Sequence, residues 1–356
     1  MKIFISFCFN WFFYKPARTG SRVVAALARP ASGALRAASL AALLGALLPA
    51  LASAQAARSY PERPVKVYIG FATGGLPDTV GRLVQQKLAD KWGQAVVMEN
   101  RPGAGGIPAA ELTAKSPADG YTLHISDSSV ISINPFVYPK VPYSARDFEA
   151  VSIVARSSLF LAANSKVEAG TLRELIALAK ARPGQLSYGS SGVGTLHHLG
   201  MEALKMAFGL DMVHVPYKGT GQSVPAMIGG QVGLVYSAYP SLAAYVKDGR
   251  VRLLAANSRT RSSFAPEVPT VAELGAPGYD FAPTIGYFAP AGTPRDIINK
   301  VSAAMAEVVR QPDVVQRFAG LGIEPVGSTP EEQAEQWRSD AERFSRVIKQ
   351  AGVRAE

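Results

Sequence analysis

The sequence predicts an α/β fold in two lobes, each a mainly parallel sheet flanked by helices, and three observations support this prediction. Beyond Val65, short apolar runs alternate with segments whose apolar residues recur at helical spacing, which is typical of α/β folds. About ten strand-like runs are present, more than one sheet with short connections comfortably holds. The 302 residues that follow residue 54 form a chain long enough to divide into two domains.

The first 54 residues predict an export signal and not a part of the fold. They contain six Lys or Arg and no acidic residue, and an apolar run from Ala37 to Leu51 leads into the small residues 52–54. Because signal peptidase cleaves after such small-x-small triplets, we expect cleavage after Ala54 and a periplasmic product. The run is shorter than the about 20 apolar residues that span a bilayer. The aromatic-rich first 20 residues indicate either an upstream start codon or an anchor.

Composition excludes several classes of protein. Removal of residues 1–54 lowers the formal net charge from +10 to +4, and no run of Lys or Arg marks a nucleic-acid surface. The single cysteine, Cys8, lies in the predicted signal, so we expect no disulfide, no lipid anchor and no thiol ligand. Adjacent histidines such as His197 and His198 point about 100° apart on a helix and do not chelate one metal ion. We therefore expect neither a metal site nor a cofactor.

Apolar runs predict the strands. They lie at 65–69, 96–98, 121–125, 151–154, 160–163, 186–188, 212–215, 234–236 and 253–256. A Gly/Pro-rich loop, 101–108, separates the second run from the third, and its stretch from Gly103 to Gly106 has neither the spacing of a dinucleotide-binding fingerprint nor, by this interpretation, a helix behind it.

Apolar periodicity and cap residues predict the helices. The first is expected to begin at Thr79 and to reach Trp92. Thr171 opens another through a capping box with Glu174. Further helices are expected near 196–208, 221–229 and 240–247, and two more begin at 293–294 and 329–330.

The chain is expected to cross between the lobes near residues 156 and 278, where strand pairs are joined without a helix. This gives a first lobe of residues 60–156 plus 278–356, a second lobe of residues 157–277, and a ligand cleft between them.

Three Gly/Ser/Thr-rich turns that follow strands are the candidate site. Such turns direct free backbone N–H groups and the positive end of a helix towards the edge of the sheet, which favours an anion such as a carboxylate. A single turn is equally consistent with a tight chain reversal, whereas the set favours binding. The turns contain Phe71, Thr73, Gly74, Gly75 and Asp78; Ser126, Asp127 and Ser128; and Ser190, Ser191, Gly194 and Thr195.

Three charged or titratable residues near these turns are further candidates. Asp78 either caps the helix expected at Thr79 or also orders water in the cleft. His198 is expected to donate a hydrogen bond near the 190–195 turn. Lys218 follows a strand directly, so it either faces a carboxylate or is an exposed turn residue.

The sequence lacks the common catalytic patterns. Neither Ser190 nor Ser191 has the flanking glycines of a nucleophile elbow, and no Walker motif is present. An exported serine hydrolase using His198 is the alternative from another class. The absence of an activated nucleophile favours a non-catalytic protein.

Several motifs in a fixed order resemble one family, the tripartite tricarboxylate transporter substrate-binding proteins, also called TctC or Bug receptors. They are Tyr60-Pro61-x-Arg63-Pro64, Gly74-Gly75-x-x-Asp78, Glu99-Asn100-Arg101-Pro102-Gly103-Ala104-Gly105-Gly106, Asp119-Gly120-Tyr121-Thr122-Leu123, Ile133-Asn134-Pro135, Ser190-Ser191-Gly192-x-Gly194-Thr195-x-x-His198-Leu199, Val213-His214-Val215-Pro216-Tyr217-Lys218-Gly219, Gly229-Gly230-Gln231-Val232, Val268-Pro269-Thr270 and Ala289-Pro290-Ala291-Gly292-Thr293-Pro294. The resemblance covers nearly all of the chain after residue 54.

The resemblance implies a two-lobed periplasmic binding protein, type II-like, that closes on a small carboxylate, an amino acid or an aromatic acid. It also implies delivery to integral-membrane permease subunits by a monomeric receptor, with a receptor that feeds a sensor kinase as the alternative. By the same resemblance, the loops 71–78, 126–134 and 190–195 contact the ligand. The implied ligand-binding set adds Asn134, Tyr217, Lys218, Ser237 and Tyr239 to the residues of the three turns and His198.

The chain departs from the family pattern at two places. Ser237 and Ala238 stand where the family often has Asp and Asn, and Leu76 and Pro77 stand where a third Gly and a Thr are common. Loss of an acidic group makes a cationic ligand less favoured, and Phe71, Tyr236 and Tyr239 are expected to favour an aromatic or apolar acid.

Overall fold

The computed structural model describes residues 60–71 and 73–354, so the predicted export signal lies outside the described residues. Its strands are β1 (Val65–Ile69), β2 (Val96–Asn100), β3 (Thr122–Asp127), β4 (Phe148–Arg156), β5 (Leu159–Asn164), β6 (Ser187–Ser190), β7 (Val213–Pro216), β8 (Leu234–Ala238), β9 (Val251–Ala256), β10 (Thr284–Pro290) and β11 (Glu324–Pro325). Its helices are α1 (Leu76–Trp92), α2 (Ile107–Ala114), α3 (Ser129–Ser132), α4 (Asn134–Val137), α5 (Leu172–Ala181), α6 (Leu196–Phe208), α7 (Thr220–Ile228), α8 (Tyr239–Lys247), α9 (Arg295–Val309), α10 (Pro312–Gly320) and α11 (Pro330–Ala351).

The strands form two sheets, one in each lobe. The first lobe has the order β11-β4-β10-β3-β1-β2, and the second has the order β7-β6-β8-β5-β9. The two-lobed α/β fold predicted from the sequence is therefore confirmed. Strands that precede residue 156 or follow residue 284 lie in the first sheet, and strands between residues 159 and 256 lie in the second.

Both sheets are mixed, so the prediction of mainly parallel sheets is wrong in detail. β1 pairs in parallel with β2 and β3, and β6 does so with β7 and β8. β10 is antiparallel to β3 and β4, and β5 is antiparallel to β8 and β9. The antiparallel pairs involve the strands that carry the chain between the lobes. These strands enter their sheet from the other lobe, without the crossover helix that makes neighbouring strands parallel.

Strand β10 has a central place in the first sheet that the sequence did not reveal. All seven residues from Thr284 to Pro290 are buried. The run has no alternation of polar and apolar residues, because both faces of the strand are covered. Gly286 and the prolines on either side of it are also typical of a loop, so no strand was predicted here.

The helix α2 was also missed, since it begins directly behind Gly106, where no helix was expected.

The C-terminal helix α11 packs on the apolar cores of both lobes. Near its start, Trp337 lies edge-to-face on Phe288 of β10, with ring centroids 4.8 Å apart. Further along, Phe344, Val347 and Ile348 belong to the core cluster that also holds the buried apolar residues of α6.

None of the helices in residues 60–71 and 73–354 is long and apolar enough to cross a membrane.

Candidate functional site

A cavity of about 230 Å³ lies between the two lobes, where the turns after β1, β3 and β6 meet. From the first lobe it is lined by Phe71, Leu76, Pro77, Gly105, Asp127, Ser129, Ile133, Asn134, Val137 and Tyr138. From the second lobe it is lined by Ser191, Val193, Gly194, Thr195, Leu196 and His197, and Pro283 lies in the connection between the sheets. The volume suits a small organic ligand.

The three turns predicted from the sequence thus converge, but only some of the residues singled out there line the cavity. Those that do are Phe71, Asp127, Asn134, Ser191, Gly194 and Thr195. The cavity lining does not include Thr73, Gly74, Gly75, Asp78, Ser126, Ser128, Ser190, His198, Tyr217, Lys218, Ser237 or Tyr239. Their role in binding stays a prediction.

The second-lobe wall is built around the start of α6. Thr195 is its N-cap: the hydroxyl accepts a hydrogen bond from the His198 N–H at 3.4 Å and donates one to the Gly192 carbonyl at 2.8 Å. Helix geometry leaves the N–H groups of Leu196 and His197 without an intrahelical acceptor. Because both residues line the cavity, the positive end of the helix faces it.

Histidines lie directly behind this turn. His198 Nδ1 accepts a hydrogen bond from the Gly194 N–H at 3.2 Å, so the expectation that His198 donates to the turn is wrong. The ring of His198 stacks on that of His214 with centroids 3.8 Å apart. His214 Nε2 lies 2.7 Å from the Ser190 hydroxyl oxygen, and His197 Nδ1 lies 2.7 Å from that of Ser191. These contacts fix the backbone that carries the free N–H groups.

Burial keeps these imidazoles neutral. It lowers the pKa of His198 to about 4, with smaller contributions from His214 and Lys205 in the same direction and from Glu202 against it. Burial also lowers the pKa of His197 to about 4. A neutral ring is required for His198 Nδ1 to accept the Gly194 N–H. Nδ1 of His198 therefore accepts a backbone N–H. The hydrolase alternative would instead require His198 to be hydrogen-bonded to a serine hydroxyl.

Asp78 does not act as the expected N-cap, because α1 begins at Leu76 with Gly75 in the cap position. Its carboxylate instead accepts hydrogen bonds from the Gly74 N–H, from Arg82 and from the Asn100 amide, each at 2.9 Å. Burial alone would raise its pKa, but these hydrogen bonds lower it. Asp78 thus stays ionised while it fixes the turn after β1.

The first-lobe wall is held by a close contact of Asn134 with the Gly-rich loop. The Asn134 amide donates to the Gly105 carbonyl at 2.9 Å and to the Tyr143 hydroxyl at 3.2 Å. Gly105 has φ +63°, and a Cβ atom there would lie 2.8 Å from Asn134 Oδ1. This close approach explains the glycine in a segment that otherwise reads as a tight turn.

Asp127 is the one acidic residue among the described residues that line the cavity. Its Oδ1 accepts the Ser129 N–H at 3.0 Å and also the Ser129 hydroxyl. Burial raises its pKa, against the effect of these two hydrogen bonds. Most other first-lobe lining residues are apolar, and two of them, Val137 and Tyr138, were not predicted because they resemble ordinary core residues.

The remaining predicted residues lie behind or beside the site. Tyr217 donates its N–H to the Ser190 carbonyl at 3.1 Å, and Lys218 is exposed, with its N–H bonded to Gln222. Ser237 is buried, and Tyr239 packs on Phe160 with centroids 5.9 Å apart. Tyr236 is fully buried, and its hydroxyl lies 2.9 Å from that of Tyr279. Tyr236 is likewise not among the residues that line the cavity.

Comparison with known proteins agrees with this architecture. The family described as "Tripartite tricarboxylate transporter family receptor", TctC, matches residues 80–353. The BugT protein of Bordetella pertussis is 35% identical over 300 residues, which cover 84% of this chain and 92% of that protein.

Two solved structures of related proteins hold small diacids. An R. palustris protein with adipate is 32% identical with a TM-score of 0.72, covering 83% of this chain and 99% of the other. MatC from Rhodopseudomonas palustris with bound malate is 29% identical with a TM-score of 0.66, covering 81% and 100%. Because the family match spans most of the chain and the fold and cavity agree with it, the chain belongs to the TctC receptor family of solute-binding proteins, which are not enzymes.

Proposed function

We propose that the protein is a periplasmic receptor that captures a small carboxylate between its lobes and delivers it to the membrane subunits of a tripartite tricarboxylate-type transporter. The observation that carries the proposal is that Leu196 and His197, the first two residues of α6, line the cavity. Their N–H groups have no intrahelical acceptor. Such an N-terminus favours an anion through its N–H groups and its dipole.

Neutral donors suit a receptor that must also release its ligand. No Lys or Arg is among the described residues that line the cavity. A carboxylate would therefore be held by backbone N–H groups and the Ser191 hydroxyl. Hydrogen bonds from these groups are directional, and they stabilise the anion without the larger penalty of separating a buried ion pair on release.

Residues from both lobes line the cavity, so a ligand bound there favours the closed arrangement. Val137 of the first lobe lies against Gly194 of the second, where a Cβ atom would be only 3.0 Å from Val137 Cγ1. A ligand shifts the balance between open and closed forms by the difference in its affinity for them. A closed, loaded receptor is what a membrane partner would need to recognise.

The related proteins support a carboxylate as the ligand. The R. palustris protein with adipate and MatC with malate both hold small diacids. Export to the periplasm is supported by the signal pattern of residues 1–54. Mass spectrometry of the protein from an exporting host should give a chain that begins at Gln55.

A thermal-shift screen tests ligand capture. The purified protein, unfolded and refolded to remove any bound ligand, is heated with dicarboxylates, tricarboxylates, aromatic acids, hydroxy acids and amino acids. A ligand at 100 times its Kd adds about 2.7 kcal/mol to the free energy of unfolding. We expect a clear rise with one class of acid and none with the uncharged amides of the same acids. If no acid raises the unfolding temperature, carboxylate capture is wrong.

Delivery is tested separately in the native host. Deletion of the receptor gene should abolish uptake of the radiolabelled acid found in the screen, and deletion of the permease genes should do the same. If uptake is unchanged while transcription induced by the acid is lost, the receptor feeds a sensor kinase and not a transporter.

A further inference from the structure

Asp127 places an acceptor at the first-lobe side of the cavity. Both of its hydrogen bonds, from the Ser129 N–H and hydroxyl, reach Oδ1. Oδ2 has no hydrogen-bond partner among residues 60–71 and 73–354. The side chain is half-buried and lines the cavity. A carboxylate oxygen in this position is satisfied when a ligand donates a hydrogen bond to it.

The opposite side of the cavity offers hydrogen-bond donors and not an acceptor. The N–H groups of Leu196 and His197 and the hydroxyl of Ser191 belong to the second lobe, and all three residues line the cavity. A ligand that reaches both sides therefore meets donors at one end and a carboxylate at the other. No Lys or Arg is among the described lining residues, so nothing there offsets the repulsion between a ligand carboxylate and an ionised Asp127.

On the basis of the proposed carboxylate-binding role, we infer that Asp127 sets the substrate class: acids with a hydroxyl or ammonium group at the end remote from the carboxylate, in preference to diacids of the same length. The carboxylate binds at the start of α6, and the remote donor binds Asp127 Oδ2. The ligand thereby links the lobes through two chemically different ends. Asp127 also supplies the acidic group whose absence at Ser237 and Ala238 had argued against a cationic ligand.

A matched series of acids tests this inference by isothermal titration calorimetry. The six-carbon series is hexanoate, 6-hydroxyhexanoate, 6-aminohexanoate and adipate, and the four-carbon series is butanoate, 4-hydroxybutanoate, 4-aminobutanoate and succinate. Within a series only the remote group changes. In at least one series we expect the hydroxy or amino acid to bind about tenfold more tightly than both the plain acid and the diacid, as one charge-assisted hydrogen bond gives.

The variant Asp127→Asn keeps an oxygen for Ser129 and places an amide nitrogen at the Oδ2 position. It should lose the preference for the hydroxy or amino acid by about tenfold and bind the diacid more tightly than the wild type does. Asp127→Ser should lose the same preference, and its thermal unfolding shows whether the fold is intact. Asp313→Asn removes a carboxylate paired with Lys87 on the surface and should leave all affinities unchanged.

The outcomes separate the inference from the proposed function. If the wild type binds adipate or succinate best, or if Asp127→Asn leaves the order of affinities unchanged, the assignment of Asp127 is wrong while carboxylate capture stands. If no member of either series binds to the wild type or to Asp127→Asn while another acid of the thermal-shift screen does, the inference alone is wrong. If no acid of that screen binds either, carboxylate capture is overturned as well.

Discussion

The Gly194 N–H donates a hydrogen bond to Nδ1 of His198, four residues further along the chain, at 3.2 Å. This bond ties the glycine turn of the cavity to a buried ring that must be neutral to accept it. The turn and the titration of the ring are therefore coupled.

Acid should destabilise the protein through this coupling. Burial lowers the pKa of His198 to about 4, whereas the unfolded chain titrates near 6.5. Between these values the unfolded state binds more protons, so the stabilisation is complete above about pH 6.5 and is lost as the pH falls to about 4. The loss should reach about 3 kcal/mol for this one residue.

The His198→Gln variant isolates that contribution, because the amide oxygen still accepts the Gly194 N–H but does not titrate. Burial raises the pKa of Asp340 to about 6, an effect of opposite sign that is common to both proteins. Urea unfolding at pH 4.5 and pH 7.5 should show a smaller loss for the variant than for the wild type. Equal losses would contradict a role for His198 in the pH dependence.

Thr195→Ala should weaken ligand binding as well as stability. The substitution removes the N-cap of α6 and the hydroxyl that holds the Gly192 carbonyl. The expected cost is about 1 kcal/mol of unfolding free energy, together with an increase in the Kd of the acid from the screen.

Thr171→Ala is the matched control for this cap. Thr171 is the N-cap of α5, away from the cavity, and accepts the Glu174 N–H at 3.2 Å. It should lose similar stability with no change in Kd, and Thr195→Ser should preserve binding. An unchanged Kd in Thr195→Ala would show that the cap does not position the ligand-binding turn.

Gly105→Ala should be more damaging than a similar substitution outside the site. Gly105 and Gly93 share φ +63°, so alanine is strained at both positions by about 1 kcal/mol. Only at Gly105 would the new Cβ collide with Asn134, at 2.8 Å, whereas nothing lies within 4 Å at Gly93. Thermal unfolding and ligand titration should show a larger loss for Gly105→Ala in both quantities, and equal losses would contradict the contact with Asn134.

Lys218→Ala should leave ligand affinity within about twofold of the wild type. The side chain is exposed and is absent from the cavity lining. Exposed charges outside a site contribute little to binding because water screens them. Calorimetric titration checks this, and a tenfold weaker affinity would show that Lys218 binds the ligand.

Patterns local in the chain were predictable from the sequence, and contacts between distant segments were not. Strand β1 was predicted with its observed bounds, and the helix α6 likewise, because period and cap residues define them. Strand β10 has no alternating pattern, since its burial depends on layers contributed by other parts of the chain.

The same division holds within the candidate site. Ser191, Gly194 and Thr195 could be recognised because a turn that starts a helix has its own sequence signature. Val137 and Tyr138 carry no such signature, and they line the cavity only because a short helix of the first lobe faces the turn of the second. Both Asp127 and Lys218 were predicted to bind the ligand, and only the three-dimensional arrangement shows that Asp127 lines the cavity and Lys218 does not.

The C-terminal helix has a further consequence for how tightly a ligand is held. Since α11 packs against Phe288 near one end and shares a core with α6 near the other, opening the cleft must bend the helix or shift one of these contacts. The energy stored in that deformation opposes opening and returns the lobes to each other. Substitutions at Phe344 or Val347 would therefore change ligand residence time without touching the ligand.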